Sequence, residues 1–393
     1  MIMVELLAPC HNSATLKAAL DAKADAVYFG ITSLNMRVNA KNFKLSDLKK
    51  VVQKCHERKA KAYLALNSII YENELSKAEN IIKEAKKAGV DAVIIQDLSL
   101  IPILKKYNLK FHVSTQASVS NSESANVYKK LGASRVILAR EVSLKDLKRL
   151  VKNSKIDVEV FIHGAMCASI SGRCFLSGAI YTKSANRGEC MQPCRQEWTV
   201  KNKYGELIYD NERFMNAKDL CTIEFLDKII KTGVKSLKIE GRMKDANYVS
   251  TVVKVYRQAI DNYDKKKVKM WLKDLRSVYN RGFSTGFYLA KPSGKDIEYE
   301  KEGSTSSVKK IPVGVVKNYY PKIMVAELYL NHSSIKLDDQ LIIQGKTTFL
   351  KQKVESMEIN KKAVKKANKG QRVAVKIGGI ARRNDLVFKL SNF

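Results

Sequence analysis

The pattern of hydrophobic and polar positions separates the chain into two parts. In the first 242 residues, short apolar runs rich in β-branched residues recur, and segments with helical periodicity lie between most of them. The eight runs are VELLAP (4–9), AVYFG (26–30), KAYLALN (61–67), AVIIQD (92–97), KFHVSTQ (110–116), RVILAR (135–140), DVEVFIHG (157–164) and SLKIEGR (236–242). Buried strands that alternate with amphipathic helices are typical of a parallel sheet. Eight in succession predict a (β/α)8 barrel over residues 1–280, with a doubly wound open sheet as the alternative.

The segments between the strands carry helix signals. Segment 44–59 repeats apolar residues on one helical face, 74–88 is followed by the stop signal Gly89, and a further helical stretch is predicted over 245–275. Only between the seventh and eighth strands does the spacing grow, to about 70 residues. Loops that follow barrel strands lie at the carboxyl end of the barrel, where barrel enzymes have their active sites. We therefore expect the insertion at about 165–235 to cover the barrel mouth.

Beyond residue 280 the periodicity changes. Segment 281–307 collects Gly, Ser and charged residues and is predicted to be a linker. Residues 308–393 contain short alternating runs with turn signals between them, PVGVV, IMVAELYL, QLIIQGKTTFLKQKVESMEI, QRVAVKI and DLVFKL. This pattern predicts a small all-β barrel as a second domain.

The charge of the chain indicates a polyanionic partner. Lys and Arg number 71 against 39 Asp and Glu, a formal net charge of +32, and residues 308–393 alone hold 18 basic and 6 acidic residues. Such an excess favours RNA over a small molecule, although a Lys-rich composition bias or adaptation to heat is the alternative interpretation. No apolar run is long enough to span a bilayer and the first residues lack a signal-peptide pattern, so we expect a cytoplasmic protein without a membrane partner.

Cysteines are concentrated in the insertion. Cys167, Cys174, Cys190 and Cys194 lie within 28 residues, and Cys221 follows. In a reducing compartment such a group indicates a metal or catalytic site more than a disulfide framework. An iron–sulfur cluster and zinc both suit four thiolates on Gly-containing backbone, and only the Cys190–Cys194 spacing is typical of zinc. Nucleophilic or inert cysteines are the third possibility.

The motifs around these cysteines resemble those of a known family. FIHGAMCASISGRCFLS, NRGECMQPCRQEW, KDLC and KIEGRMK resemble the signature of the U-32 peptidase family, the collagenase-like proteins, and LAP, ADAVYFG, HVSTQ and REVSLKDL agree with it. The resemblance implies an O2-independent hydroxylase, since family members hydroxylate the ubiquinone ring or form 5-hydroxyuridine in tRNA or 5-hydroxycytidine in ribosomal RNA, with prephenate as the implied oxygen donor. It also implies a [4Fe–4S] cluster held by Cys167, Cys174, Cys190 and Cys221, with Cys194 as the alternate ligand.

The family name raises the alternative of a peptidase. A zinc peptidase of the H-E-x-x-H type is excluded because none of the five histidines is so placed. A pair of Cys167 and His163 is conceivable, but one nucleophile does not need four or five thiols. Hydroxylation of a pyrimidine carbon requires a redox cofactor, which the cysteines would hold. We expect an RNA hydroxylase, with a metal- or cysteine-dependent peptidase and a noncatalytic RNA-binding protein with structural zinc as alternatives.

Polar side chains at the ends of the predicted strands are the candidates for catalysis. A barrel directs such residues toward its mouth. We predict catalytic roles for Gln116, Arg140, Glu141, His163, Glu240 and Arg242. Arg140 and Arg242 would clamp the two carboxylates of a prephenate-like donor, and Glu141 and Glu240 would orient them or transfer protons. Ion pairs at the barrel rim are the alternative, and Asn67, Asp97, Arg37, Lys218 and Asp219 are weaker candidates.

Residues 311–390 resemble the second-domain β-barrel of translation factors of the elongation factor Tu type. The shared motifs are DDQLIIQG, VESMEI, GQRVAVK and NDLV. The resemblance implies a fold and, with the basic excess, contact with tRNA or ribosomal RNA. A scaffold that packs on the first domain is the alternative.

Overall fold

The amino-terminal part of the chain builds seven strands that alternate with six helices. The computed structural model describes residues 4–392. Residues 1–3 of the predicted barrel domain and residue 393 of the predicted C-terminal domain lie outside the described residues. The strands pair in parallel and in order: β1 (Glu5–Pro9), β2 (Ala26–Gly30), β3 (Lys61–Leu66), β4 (Ala92–Ile95), β5 (Phe111–Val113), β6 (Arg135–Ile137) and β7 (Asp157–Gly164). The helices are α1 (Ser13–Asp21), α2 (Leu48–Glu57), α3 (Leu75–Ala88), α4 (Leu100–Lys106), α5 (Ser122–Lys130) and α6 (Leu144–Asn153).

The insertion after β7 has its own short elements. They are α7 (Leu176–Tyr181), β8 (Trp198–Lys201), β9 (Leu207–Glu212) and β10 (Asp219–Cys221). Strands β8 and β9 form an antiparallel hairpin. Strand β10 instead joins the barrel sheet, because it pairs antiparallel with the end of β7 and sets Cys221 opposite His163.

The eighth parallel strand closes the barrel. After α8 (Leu226–Ile230), strand β11 (Ser236–Ile239) pairs with β7 on one side and with β1 on the other. The predicted (β/α)8 barrel is thereby confirmed and the open sheet is wrong. The predicted helical stretch 245–275 is two helices, α9 (Ala246–Asp261) and α10 (Val268–Arg276). The break arises because the side chain of Asp264 accepts a 2.9 Å hydrogen bond from the Lys266 backbone and starts a new turn.

Segment 281–307 makes ordered contacts with the barrel. Strand β12 (Phe283–Ser284) lies parallel to β10. The buried Tyr288 hydroxyl donates a 2.7 Å hydrogen bond to the Phe161 carbonyl in β7. The segment expected to be a linker therefore packs against β7 and β10.

The remaining strands confirm the predicted all-β region as antiparallel sheets. They are β13 (Val308–Tyr320), β14 (Val325–Tyr329), β15 (Ile335–Lys336), β16 (Gln340–Gln344), β17 (Phe349–Lys353), β18 (Met357–Ile359), β19 (Lys362–Ala363), β20 (Lys366–Ala367), β21 (Arg372–Lys376) and β22 (Leu386–Asn392). Eight of them form one sheet in the order β17-β16-β22-β13-β14-β21-β18-β19, and β15 pairs with β20 in a separate ribbon.

Two hydrophobic cores hold these parts together. One fills the barrel and its helix layer, and the other lies within the C-terminal sheet. Ile342 of β16 and Phe349 of β17 belong to the barrel core, so the C-terminal sheet packs directly on the barrel. Across residues 4–392, no helix combines the length and the hydropathy that crossing a bilayer requires.

Candidate active site

A cavity of about 260 Å³ lies at the mouth of the barrel. Barrel strands supply its floor, which includes Tyr28 of β2, Ala65 of β3, Phe161 of β7 and Lys238 of β11. The insertion supplies its roof, from Cys167 to Cys194. The insertion therefore lies over the carboxyl ends of the barrel strands, as predicted, and encloses the cavity there.

Four thiols of the insertion line the cavity together. They belong to Cys167, Cys174, Cys190 and Cys194, and all are free of disulfide bonds. Burial raises the pKa of the Cys194 thiol, Arg195 lowers it, and the other three thiols are close enough to raise it further. The structure thus brings four of the five candidate ligands to one place.

Cys221 lies apart from this group. It is buried in β10, its Sγ atom is 3.8 Å from the Tyr256 hydroxyl, and burial raises the pKa of its thiol to about 12. It does not line the cavity.

The arrangement of the thiols bears on which cofactor they could hold. Among residues 4–392, no three His, Cys, Asp or Glu side chains are positioned to hold a single metal ion. A four-thiolate zinc site would require sulfurs about 4 Å apart, because Zn–S bonds are about 2.3 Å long. In a [4Fe–4S] cluster each thiolate binds a different iron, so the sulfurs stand further apart. Both groups use thiolate ligands, so an iron–sulfur cluster and zinc remain the two candidates for the four thiols around this cavity.

Two glycines allow the insertion to approach the barrel closely. Gly188 has φ of 91°, and a Cβ atom there would lie 2.3 Å from the Asn35 carbonyl oxygen. Gly172 has φ of 81°, and its Cβ would lie 2.6 Å from the Gln116 side chain. Only glycine combines this backbone conformation with such contacts, so both hold the cysteine-bearing loops against the cavity.

The cavity carries more positive than negative charge. Arg37, Arg140, Lys238 and Arg242 line it together with one carboxylate, Glu240. The Arg37 Nη2 atom is 3.5 Å from Glu240 Oε1. Burial would raise the pKa of Glu240, but Arg37, Arg140 and Lys244 hold it below its ordinary value. The carboxylate is therefore ionised, and the surplus of cations suits an anionic ligand.

The two predicted clamp arginines are held by neutral partners. Arg242 donates to the Asn35 and Asn42 side-chain oxygens, at 2.5 and 2.9 Å, and burial lowers its pKa to about 10. Arg140 donates to the Ala165 carbonyl and stacks 4.1 Å from the Phe161 ring centroid. In both, Nε is buried without a hydrogen-bond partner among the described residues. Neither arginine forms an ion pair with a carboxylate among the described residues, although Glu240 is close enough to interact electrostatically with both.

Amide and hydroxyl groups complete the wall after β5. The Asn67 Nδ2 atom lies 3.1 Å from both the Ser114 hydroxyl and the Gln116 Oε1 atom, and Ser114 also donates to Gln116. All three residues line the cavity. This wall offers uncharged donors and acceptors to a ligand in the cavity.

The sequence of this chain is similar to that of a known protein family. The sequence model of peptidase family U32 matches residues 11–298, which include the barrel from α1 onward and the insertion with its cysteines. The chain belongs to peptidase family U32. The resemblance stated from the motifs is therefore confirmed, and membership of this family indicates an enzyme.

Curated relatives of this U32 protein have differing names. A protein named as an uncharacterized protease of Methanocaldococcus jannaschii is 42% identical, with 99% of each chain covered. A protein of Porphyromonas gingivalis named collagenase is 35% identical over 98% of this chain and 97% of its own. A protein of Bacillus subtilis named as a tRNA hydroxylation protein is 37% identical over 80% of this chain and 77% of its own.

Several predicted residues of the U32 chain lie outside the cavity. Glu141 is exposed on a turn, and Asp97 accepts hydrogen bonds from the backbone of Ile70 and Ser99. His163 is buried behind the cavity with Nδ1 3.3 Å from the Tyr256 hydroxyl, and burial lowers its pKa to about 3. Asp219 is buried near Arg281, and Lys218 donates to the Lys295 carbonyl.

Sequence reasoning missed Lys238 on the cavity floor. Its Nζ atom lies 3.0 Å from Glu159 Oε1 and 4.3 Å from the Tyr28 ring centroid. Glu159 and Lys238 each interrupt an apolar strand run, DVEVFIHG and SLKIEGR respectively. A charge inside a buried strand is costly unless it is paired or used, so this interruption was the available signal.

Proposed function

We propose that this U32 protein hydroxylates a pyrimidine base of tRNA or ribosomal RNA without O2, to form 5-hydroxyuridine or 5-hydroxycytidine. The observation that carries the proposal is the single cavity that joins four thiols of the insertion to a cationic barrel floor. The tRNA hydroxylation protein of Bacillus subtilis, 37% identical to this chain, supports RNA as the substrate. The net charge of +32 agrees with a polyanionic partner.

The proposed cofactor is a [4Fe–4S] cluster with Cys167, Cys174, Cys190 and Cys194 as ligands. When bound, it would supply the electron transfer that hydroxylation of a pyrimidine carbon requires. The half-buried Cys194 replaces the buried Cys221 of the set implied by family resemblance, since only Cys194 lines the cavity.

The remaining cavity residues bind and orient the reactants. Arg140 and Arg242 line the cavity without an ion-pair partner among the described residues, so they bind the carboxylates of a small anionic oxygen donor such as prephenate. Glu240 orients Arg37, its partner at 3.5 Å. Gln116 and Asn67 offer amide groups to the edge of a base. The base must leave its stack to enter, so the substrate position lies in a loop or is flipped.

A peptidase is the second candidate, because relatives of this chain are named collagenase and protease. A cysteine peptidase needs a histidine next to its nucleophile. The described residues that line the cavity include no histidine, and His163 is buried against Tyr256. Cleavage of gelatin or peptides by purified protein, lost in Cys167→Ala, would instead support the peptidase.

Nucleoside mass spectrometry tests the proposed function. Total tRNA and ribosomal RNA from a deletion strain should lack one 5-hydroxypyrimidine present in the parent strain. The wild-type gene and a Cys55→Ala variant should restore it, and Cys174→Ala should not, because Cys55 lies on α2 away from the cavity. An unchanged nucleoside profile in the deletion strain would contradict RNA hydroxylation.

The ligand set has its own test in the purified protein. We expect Cys194→Ala, prepared without oxygen, to lose most of its bound iron and visible absorption, while Cys221→Ala keeps both. The reason is that Cys194 shares the cavity with the other three thiols and Cys221 contacts Tyr256. Iron loss in Cys221→Ala with normal iron in Cys194→Ala would reverse the assignment. Colourless wild-type protein with one zinc ion would favour the noncatalytic alternative.

A further inference from the structure

A row of basic side chains runs from the barrel mouth onto the C-terminal sheet. We call it the basic strip and define it as Lys41, Lys310, Lys346, Arg382 and Arg383. Lys41, Lys346, Arg382 and Arg383 are exposed, and Lys310 is partly so. The strip belongs to two different parts of the chain, and contacts between them establish its continuity.

The strip begins beside the cavity. Arg242, which lines the cavity, donates a hydrogen bond to Asn42, the neighbour of Lys41 in the loop after β2. Arg242, Lys41 and Asp245 all lie close enough to His11 to affect its pKa, which burial lowers to about 4. These groups therefore surround one point on the rim of the mouth.

The strip then crosses to the C-terminal sheet through Lys310. Its Nζ atom lies 3.3 Å from Asp245 Oδ2 and 2.8 Å from Gln344 Oε1 at the end of β16. Residues 345–348 follow directly and include Lys346. The Arg382 Nη1 atom donates to the Thr348 hydroxyl at 3.0 Å, so the loop that carries Arg382 and Arg383 lies against them.

The carboxylates near the strip are already engaged. Asp245 caps α9 through a 2.9 Å hydrogen bond from the Tyr248 backbone and pairs with Lys310. Asp385 is buried, accepts from the Arg382 backbone at 2.7 Å, and packs against Gly345. Among the described residues, Lys346 and Arg383 have no carboxylate within ion-pair distance. Their charges are free to meet an external anion.

We propose that the basic strip binds the phosphodiester backbone of the RNA whose base enters the cavity. This inference rests on the proposed function. In it, the C-terminal sheet binds the nucleotides that flank the target base. Repeated surface cations that lead away from a cavity match a chain with one negative charge per nucleotide. Such contacts position the nucleic acid without reading its sequence.

The test is the binding of a synthetic tRNA anticodon stem-loop to the full-length protein. Fluorescence anisotropy would measure Kd at several salt concentrations from roughly 50 to 200 mM. Over this range, phosphate contacts weaken strongly. We expect Lys346→Glu/Arg383→Glu to weaken binding at least about ten-fold at the lower salt. The slope of log Kd against log salt should fall by about 1.4, because each phosphate contact to single-stranded RNA contributes about 0.7.

The matched control is Lys336→Glu/Lys366→Glu. These exposed cross-strand partners lie beyond the opposite end of β16 from residues 345–348, and their reversal changes the net charge equally. We expect less than about three-fold weakening and an unchanged slope. If both variants weaken RNA binding equally, or if Lys346→Glu/Arg383→Glu does not weaken it, the basic strip does not bind the RNA backbone.

Failure of the strip can be told from failure of the proposed function. In one outcome, the deletion strain lacks a hydroxylated pyrimidine, and Lys346→Glu/Arg383→Glu both restores it and binds RNA normally. The proposed RNA-binding role of the basic strip is then wrong, and the proposed hydroxylation is supported. If the deletion changes no nucleoside while the first variant alone loses RNA binding with the expected slope, the strip stands and hydroxylation is wrong.

Discussion

At the scale of single residues, burial keeps the histidines of the barrel neutral. His11, His112 and His163 are all buried. Burial lowers the pKa of His163 to about 3 and that of His11 to about 4, and it lowers the pKa of His112 well below the usual range. His163 contacts Tyr256 and Phe283 rather than the cavity, which favours a packing role over the predicted catalytic one.

The depressed pKa of His163 predicts a loss of stability in acid. Between about pH 6.5 and 3 the unfolded chain binds a proton that folded His163 does not, so the free energy of unfolding falls as pH drops through this window. Each pH unit corresponds to about 1.4 kcal/mol per group. Urea unfolding at pH 6.5 and 4.5 should show a loss that is about 2 kcal/mol smaller in His163→Asn than in the wild type.

The exposed His332 provides the comparison for that measurement. His332→Asn replaces a histidine at an exposed position, and it should lose as much stability between the two pH values as the wild type. An identical acid loss in wild type and His163→Asn would show that His163 does not carry the effect.

At the scale of elements, a chain of buried charges crosses the barrel interior. Glu5 of β1 pairs with Arg135 of β6 at 2.5 Å, Arg135 with Glu159 of β7 at 3.1 Å, and Glu159 with Lys238 of β11 at 3.0 Å. Burial would raise the pKa of Glu159, but Lys238 and Arg135 lower it below its ordinary value. Each charge is tolerated in the interior because an oppositely charged side chain, on an adjacent strand or across the barrel, compensates it.

Removal of the central carboxylate should be strongly destabilising. We expect Glu159→Leu to lower the free energy of unfolding by about 3–5 kcal/mol, because Lys238 is left buried without its partner. The double variant Glu159→Leu/Lys238→Met should cost less than the sum of the single variants in urea unfolding. Glu84→Ala, which breaks the exposed Lys87 pair, should cost less than about 1 kcal/mol. Additive costs would contradict a coupled network.

At the scale of the whole molecule, the C-terminal sheet is anchored on the barrel. Ile342 and Phe349 pack in the barrel core, and Lys351 donates to the Thr251 hydroxyl of α9 at 3.4 Å. Asp245, the N-cap of α9, pairs with Lys310, where the basic strip crosses to the C-terminal sheet. The interface thus sets the position of the strip relative to the cavity.

Truncation of the interface aromatic should separate the unfolding of the two parts. Calorimetry of the wild type should show one cooperative transition, and Phe349→Ala should lower the stability by about 3–5 kcal/mol and split the transition. Ile323→Ala is the control, because Ile323 is 62% exposed in the turn between β13 and β14 and its loss should change stability by less than about 0.5 kcal/mol. A single transition in Phe349→Ala would contradict the anchoring role.

The sequence by itself determined the barrel, the position of its insertion and the all-β character of the last region. Buried β-branched runs, helical periodicity and turn residues are local signals, and the order of strands in a parallel barrel follows the order of the chain. The ends of those strands converge on one mouth, so Gln116, Arg140, Glu240 and Arg242 could be grouped in advance.

Only the tertiary structure decided which side chains face the cavity. The antiparallel pairing of β10 with β7 sets Cys221 opposite His163 and leaves Cys194 with the other thiols. The turn after β6 exposes Glu141, and the register of β11 points Lys238 inward. The basic strip likewise exists only because Lys310 meets Asp245 across 65 residues of chain. Strand register and distant contacts depend on packing between segments, which local sequence patterns do not encode.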